Sequence, residues 1–183
     1  MTGAPWLMHA VTAAMLLIAA YCVARLITAR LWHRDTDHAV DAVHIAMGVA
    51  MAGMVVPRWD PLPARTWEVI FAVAAVWFAG LAIRDRRHVP HVLGSAAMLY
   101  MYAAASDAPS MAGMSMAGPS SGIPVVSAAL ALALLSYVWR TATQLAGVAE
   151  SVYCRTDYLA PRLAACCEIA MGLAMAYPLL EMF

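Results

Sequence analysis

The stretch Trp6-Leu-Met-His-Ala-Val-Thr-Ala-Ala-Met-Leu-Leu-Ile-Ala-Ala-Tyr-Cys-Val-Ala-Arg-Leu-Ile-Thr28 carries one charged side chain, Arg25. It is long enough to cross a hydrocarbon core, which takes roughly 20 apolar residues. No positive cluster precedes it in Met1-Thr-Gly-Ala-Pro-Trp6, so it reads as a first membrane span rather than a cleaved secretory leader. The rest of the chain agrees in character: of 183 residues 64% are hydrophobic and 12% charged, and mean hydropathy is +0.73. Such a composition lies outside the soluble range and points to the lipid bilayer as the main solvent. The 11 basic residues are all Arg and balance 11 acidic ones, leaving no basic surface for nucleic acid. Lys and Asn are absent and Ala is abundant, the bias of a GC-rich genome.

Working outward from this stretch, five more runs qualify, giving an all-α, polytopic membrane bundle in one domain over residues 1–183. The expected spans are about 6–28, 40–56, 67–83, 89–106, 123–139 or a little beyond, and 162–182. Breakers separate them: Pro57, Pro61 and Pro63, then Arg84 to Arg87, then a Met-rich loop over 107–122. Nine of the 11 arginines fall at the first, third and fifth loops: Arg25, Arg30, Arg34, Arg84, Arg86, Arg87, Arg140, Arg155 and Arg162. Positive loops stay in the cytoplasm, which places both termini on the outer side of the plasma membrane. Trp6, Trp32, Trp59, Trp67 and Trp139 fall at expected span ends, as in an interfacial aromatic belt.

This orientation sorts the sulfur side chains. Met8, Met54, Met101, Met175 and Met182 lie in outer halves, and Met111, Met114 and Met116 in the outer loop. Cys22, Cys154, Cys166 and Cys167 lean inward. Thiols on an oxidising side form disulfides whereas thioethers do not, and both are soft ligands for Cu(I). Disulfides are therefore not expected.

The second span holds the densest constellation: Asp41, His44, Met47, Met51 and Met54, at spacings that align them on one helical stripe. The fourth repeats part of the pattern with His88, His91, Met98 and Met101. Both run outward, so His44 and His91 are expected at equal depth near the cytoplasmic end. Packing alone also explains methionine stripes, because Met fills gaps beside small residues such as those of Ala46 to Gly53. Asp41 is either a functional intramembrane carboxylate or an interfacial helix cap. Glu168 in the sixth span is a similar case, open to pairing with Arg140, Arg162 or a histidine. Exposed Met111, Met114 and Met116 have little to pack against, and clustered thioethers capture Cu(I). The third span and the core of the fifth lack His, Met and Cys and read as scaffold, with the Pro-rich second loop a lid of no obvious chemistry.

These blocks carry a resemblance: Tyr21-Cys-Val-Ala-Arg-Leu26, His44 to Met54, Pro90-His91, Ala96-Ala-Met-Leu-Tyr-Met101, the Met/Gly loop, Leu159-Ala-Pro-Arg162 and Ala165-Cys-Cys-Glu-Ile-Ala-Met-Gly172. Together they resemble the small actinobacterial membrane proteins grouped as domain-of-unknown-function family 5134, over nearly the whole chain. The resemblance implies a polytopic membrane protein of a high-GC Gram-positive cell and supplies no activity.

Three functions compete. In the first, Cu(I) is captured by Met111, Met114 and Met116, passes along Met54, Met51 and Met47 with Met101 and Met98 opposite, and is received by His44, His91 and the inner cysteines, including Cys166 and Cys167. In the second, His44 and His91 ligate a b-type haem between facing helices. In the third, the chain is a non-catalytic accessory subunit whose small-residue faces pack against membrane-protein partners or a second copy. Phosphate loops, dinucleotide-binding glycines, zinc-protease helices and nucleophile elbows are all missing, so an enzyme is the least expected outcome.

Overall fold

The structure, a computed structural model, describes residues 5–31, 37–56, 60–106, 124–151 and 159–181. These are helical apart from short connections, with no strand among them: α1 (Pro5–Leu31), α2 (His38–Val55), α3 (Ala64–Arg84), α4 (Val89–Ser106), α5 (Pro124–Ser151) and α6 (Leu159–Glu181). Asp37 caps α2, its carboxylate accepting from the Val40 N–H at 3.4 Å. Beyond α3, Asp85 is extended and accepts from the Arg87 N–H at 3.0 Å, starting a 3-10 turn, Arg86–His88, that runs into α4. Pro90 sits in the first turn of α4, where its missing N–H has no intrahelical partner to lose.

The expected spans fall on these helices, with one boundary far off. α5 continues past Trp139 to Ser151, because hydropathy falls there while the Ala-rich, Pro-free sequence still favours helix. Among the described residues three helical segments are long and apolar enough to cross a membrane: His38–Val55, Ala64–Arg84 and Pro124–Ala146. Shorter apolar segments cover Thr12–Thr28 and Ala165–Leu180. α3 turns Val69, Val73, Val76 and Trp77 outward and buries Trp67, Phe71 and Phe78. An outward face that apolar suits lipid.

The chain forms two compact units, residues 1–98 and 99–183. In the first, α1 and α2 pack as an antiparallel hairpin. They approach closely at Gly48, where a Cβ would come within 2.9 Å of both the Ala19 Cβ and the Met15 carbonyl oxygen. At the far end of α2, Gly53 leaves room for Asp60, whose Oδ1 accepts from the Trp67 indole N–H at 2.7 Å. Trp67 is thus turned inward, stacked on Phe71 at 5.8 Å, instead of serving in an interfacial belt. The Pro-rich connection gains a polar clasp.

In the second unit α5 presents Ser127, Ala131, Leu134, Val138 and Thr141 as one buried stripe, and α6 answers with Met171, Gly172, Met175, Ala176 and Leu179. Spacings of three and four make each stripe continuous along one helix face. A Cβ on Gly172 would meet the Val138 Cγ2 at 2.6 Å.

Candidate metal centre

The α1–α2 hairpin has a readable register. Ala19 lies against Gly48, and Arg25 bonds Asp41. The residue between them on α1, Cys22, is thereby brought to His44. Arg25 and Cys22 are three apart, as are Asp41 and His44, so both couples match once the two helices run oppositely. The outcome is a buried group in which one ligand atom each of Cys22 (Sγ), Asp41 (a carboxylate oxygen) and His44 (a ring nitrogen) all lie within 4.8 Å of one another. Their exposures are 2%, 0% and 7%.

Two metal bonds of about 2.1–2.3 Å placed end to end span about 4.4 Å, so small side-chain rotations would bring all three onto one ion. Thiolate and imidazole are ligands for copper and zinc. The Asp41 carboxylate already has a partner. Arg25 forms an ion pair with it, the Nε–H donating to Oδ2 at 3.1 Å and Nη2 lying 2.7 Å from Oδ1, which is buried and accepts no hydrogen bond from the described residues. Asp41 is therefore neither a helix cap, a role Asp37 fills, nor a lone intramembrane charge. Arg25 is 29% exposed, reaching outward past a partner that is wholly buried.

α4 supplies the next layer. The His91 ring lies edge-on to His44, centroids 5.1 Å apart and planes at 62°. Phe78 of α3 packs 5.2 Å from His91 and 5.9 Å from His88, so a helix that reads as scaffold contributes a wall. His91, Ser95 and Met98 share one buried face of α4, which the buried His88 of the preceding 3-10 turn extends. His88 Nδ1 and Ser95 Oγ on that face are buried without a hydrogen-bond partner. Leaving such a group unsatisfied costs on the order of 1–3 kcal/mol.

Met47 and Met51 continue the α2 stripe away from His44, both buried, and Met54 is half-buried. By the hairpin register the buried Met15 of α1 stands opposite Met51. Met101 is buried as well but belongs to the second unit. Met111, Met114 and Met116 lie outside the described residues, as does Cys154. In the second unit Cys166 is exposed and Cys167 partly buried. Glu168 accepts a hydrogen bond from the Tyr137 hydroxyl at 2.9 Å, a partner not anticipated from charge.

Sequence reading singled out Asp41, His44 and His91, counted Cys22 only as one of four inward cysteines, and missed the pairing of Arg25 with Asp41. The equal spacing of the two couples on consecutive helices is compatible with this pairing but does not by itself select it.

Residues 36–182 match the family described as Domain of unknown function (DUF5134). The matched segment holds Asp41, His44, His88 and His91, while Cys22 and Arg25 lie just before it. No curated protein and no solved structure matches the chain.

Proposed function

Since the chain belongs to the DUF5134 family, whose description carries no activity to inherit, we propose from the site alone that it is a membrane protein that binds Cu(I) inside its helix bundle. The observation that carries this reading is the convergence of Cys22, Asp41 and His44 within 4.8 Å in a buried hairpin seam. Cys22 and His44 are the direct ligands, with His91 beside His44 as a third. Binding exchanges the thiol proton of Cys22 for the S–Cu bond and releases that proton to water.

The chain crosses the membrane six times with both termini outside, in keeping with the arginine distribution. The site then lies toward the cytoplasmic ends of α1 and α2. Met15, Met47 and Met51 extend from it along the seam toward the outer side, where Met111, Met114 and Met116 would meet the ion first. Thioethers bind Cu(I) and release it readily, the property a transfer track needs.

A haem held by His44 and His91 fits the geometry less well. Axial nitrogens on opposite faces of one iron stand about 4 Å apart, with ring centres further out still. Rings in edge contact at 5.1 Å would have to move apart to take a macrocycle between them.

Elemental analysis and a visible spectrum on one detergent-purified sample test the proposal. The expected result is one copper per chain, lost in Cys22→Ser and in His44→Ala, with no Soret band. Metal-free protein from copper-supplemented cells, or a Soret band that depends on His44 and His91, would overturn it.

A further inference from the structure

The charge of the buried site is set by a residue that binds no metal. Asp41 is fully buried and ion-paired with Arg25 at 2.7 Å, so the two charges cancel within the seam. His44 and His91 bind metal as neutral imidazoles. Among the described residues at the start of α2, its cap Asp37 is also charged, and it is exposed and screened by water. Once Cys22 has given up its proton, the site carries a net charge of minus one. A monovalent cation brings that to zero, whereas a divalent cation leaves a surplus positive charge in a low-dielectric interior, where unpaired charge is costly.

We infer that Arg25, by neutralising Asp41, makes the Cys22–His44 site selective for a monovalent soft cation over a divalent one. Arg25 is thus a specificity-determining residue, and the inference rests on the metal reading proposed above. It makes the Arg25–Asp41 couple the reason a Cys/His pair, which would also suit Zn(II), prefers Cu(I). Asp41 then acts as a fixed counter-charge that keeps Arg25 away from the thiolate, and need not coordinate.

The test is a charge series in full-length protein, titrated anaerobically with Cu(I) and separately with Zn(II) against chromophoric chelators. Asp41→Asn gives a site charge of zero, wild type and the double variant Arg25→Gln/Asp41→Asn give minus one, and Arg25→Gln gives minus two. The ratio of Zn(II) to Cu(I) affinity should rise along the series, by roughly tenfold to a hundredfold per unit charge at a few ångströms. Wild type and the double variant, equal in charge but different in both side chains, should agree within a few-fold. A ratio that does not follow charge, or a wild type that prefers Zn(II), overturns the role of Arg25 while leaving metal binding intact. Wild-type protein that takes up neither ion overturns the metal reading itself. If Arg25→Gln is lost on extraction, the wild type, Asp41→Asn and the double variant still decide the matter.

Discussion

Two helix pairs in this chain solve the same packing problem and place a carboxylate in very different company. The α1–α2 pair closes on Gly48 and holds Asp41, wholly buried, against the Arg25 guanidinium with a thiol and an imidazole alongside. The α5–α6 pair closes on Gly172 and gives Glu168, partly buried, a neutral phenol from Tyr137. A carboxylate inside an apolar bundle needs a partner, and the partner decides what else the site can do. An ion pair fixes the local charge and lets soft ligands converge beside it. A phenol adds one hydrogen bond and leaves the charge question to the surroundings.

The sharpest way to break this contrast is to remove the partner in each pair. Arg25→Gln strands a fully buried carboxylate, and losing one member of such a pair costs about 3–5 kcal/mol. Thermal unfolding of metal-free protein in detergent should show that loss. Tyr137→Phe removes one hydrogen bond to a group that is partly exposed, worth about 1 kcal/mol, and should leave metal content unchanged. Equal losses for the two variants would mean that Asp41 and Glu168 are equivalent structural carboxylates.

The two glycines sharpen the comparison at the level of packing. An added methyl at Gly48 meets a backbone carbonyl, that of Met15, which cannot rotate away. Gly48→Ala should cost about 1–3 kcal/mol and weaken metal binding, because widening the seam separates Cys22 from His44. At Gly172 the obstacle is one methyl of Val138, a buried β-branched side chain that a helix holds near one rotamer. Gly172→Ala should cost a similar amount, about 1–3 kcal/mol, yet spare the site, which lies in the other helix pair. Unfolding midpoints and copper stoichiometry of both variants check this.

How far these features could be read from sequence follows their physical origin. Helix positions are set by local runs of apolar residues and by breakers, so α4 begins and ends where hydropathy says, at Val89 and Ser106. Hydropathy reports solvent, not helix, which is why the end of α5 was out of reach beyond Trp139. Asp41 and His44 were legible as costly groups on one stripe. Their partners were not, because a register between two helices is a long-range property set here by Gly48 and Ala19. Trp67 misleads for a similar reason: its indole looks interfacial until Asp60 folds onto Gly53 and offers it an acceptor.

A modest expected stability effect separates packing from ligation in the methionine stripe. Met47 is 2% exposed and one turn from His44, so a volume-conserving Met47→Leu should cost less than about 1.5 kcal/mol whatever the thioether does. Equilibrium copper content should also hold, since Cys22 and His44 carry the bound ion. The rate of loading is different. A thioether beside the site offers Cu(I) a transient ligand, and leucine fills the same space without one. Met47→Leu should slow copper uptake into apo-protein from the outer side of reconstituted vesicles, while Met175→Leu, a buried methionine of the α5–α6 seam, should not. Unchanged uptake in both variants would return the stripe to packing and leave the α1–α2 site without a methionine path.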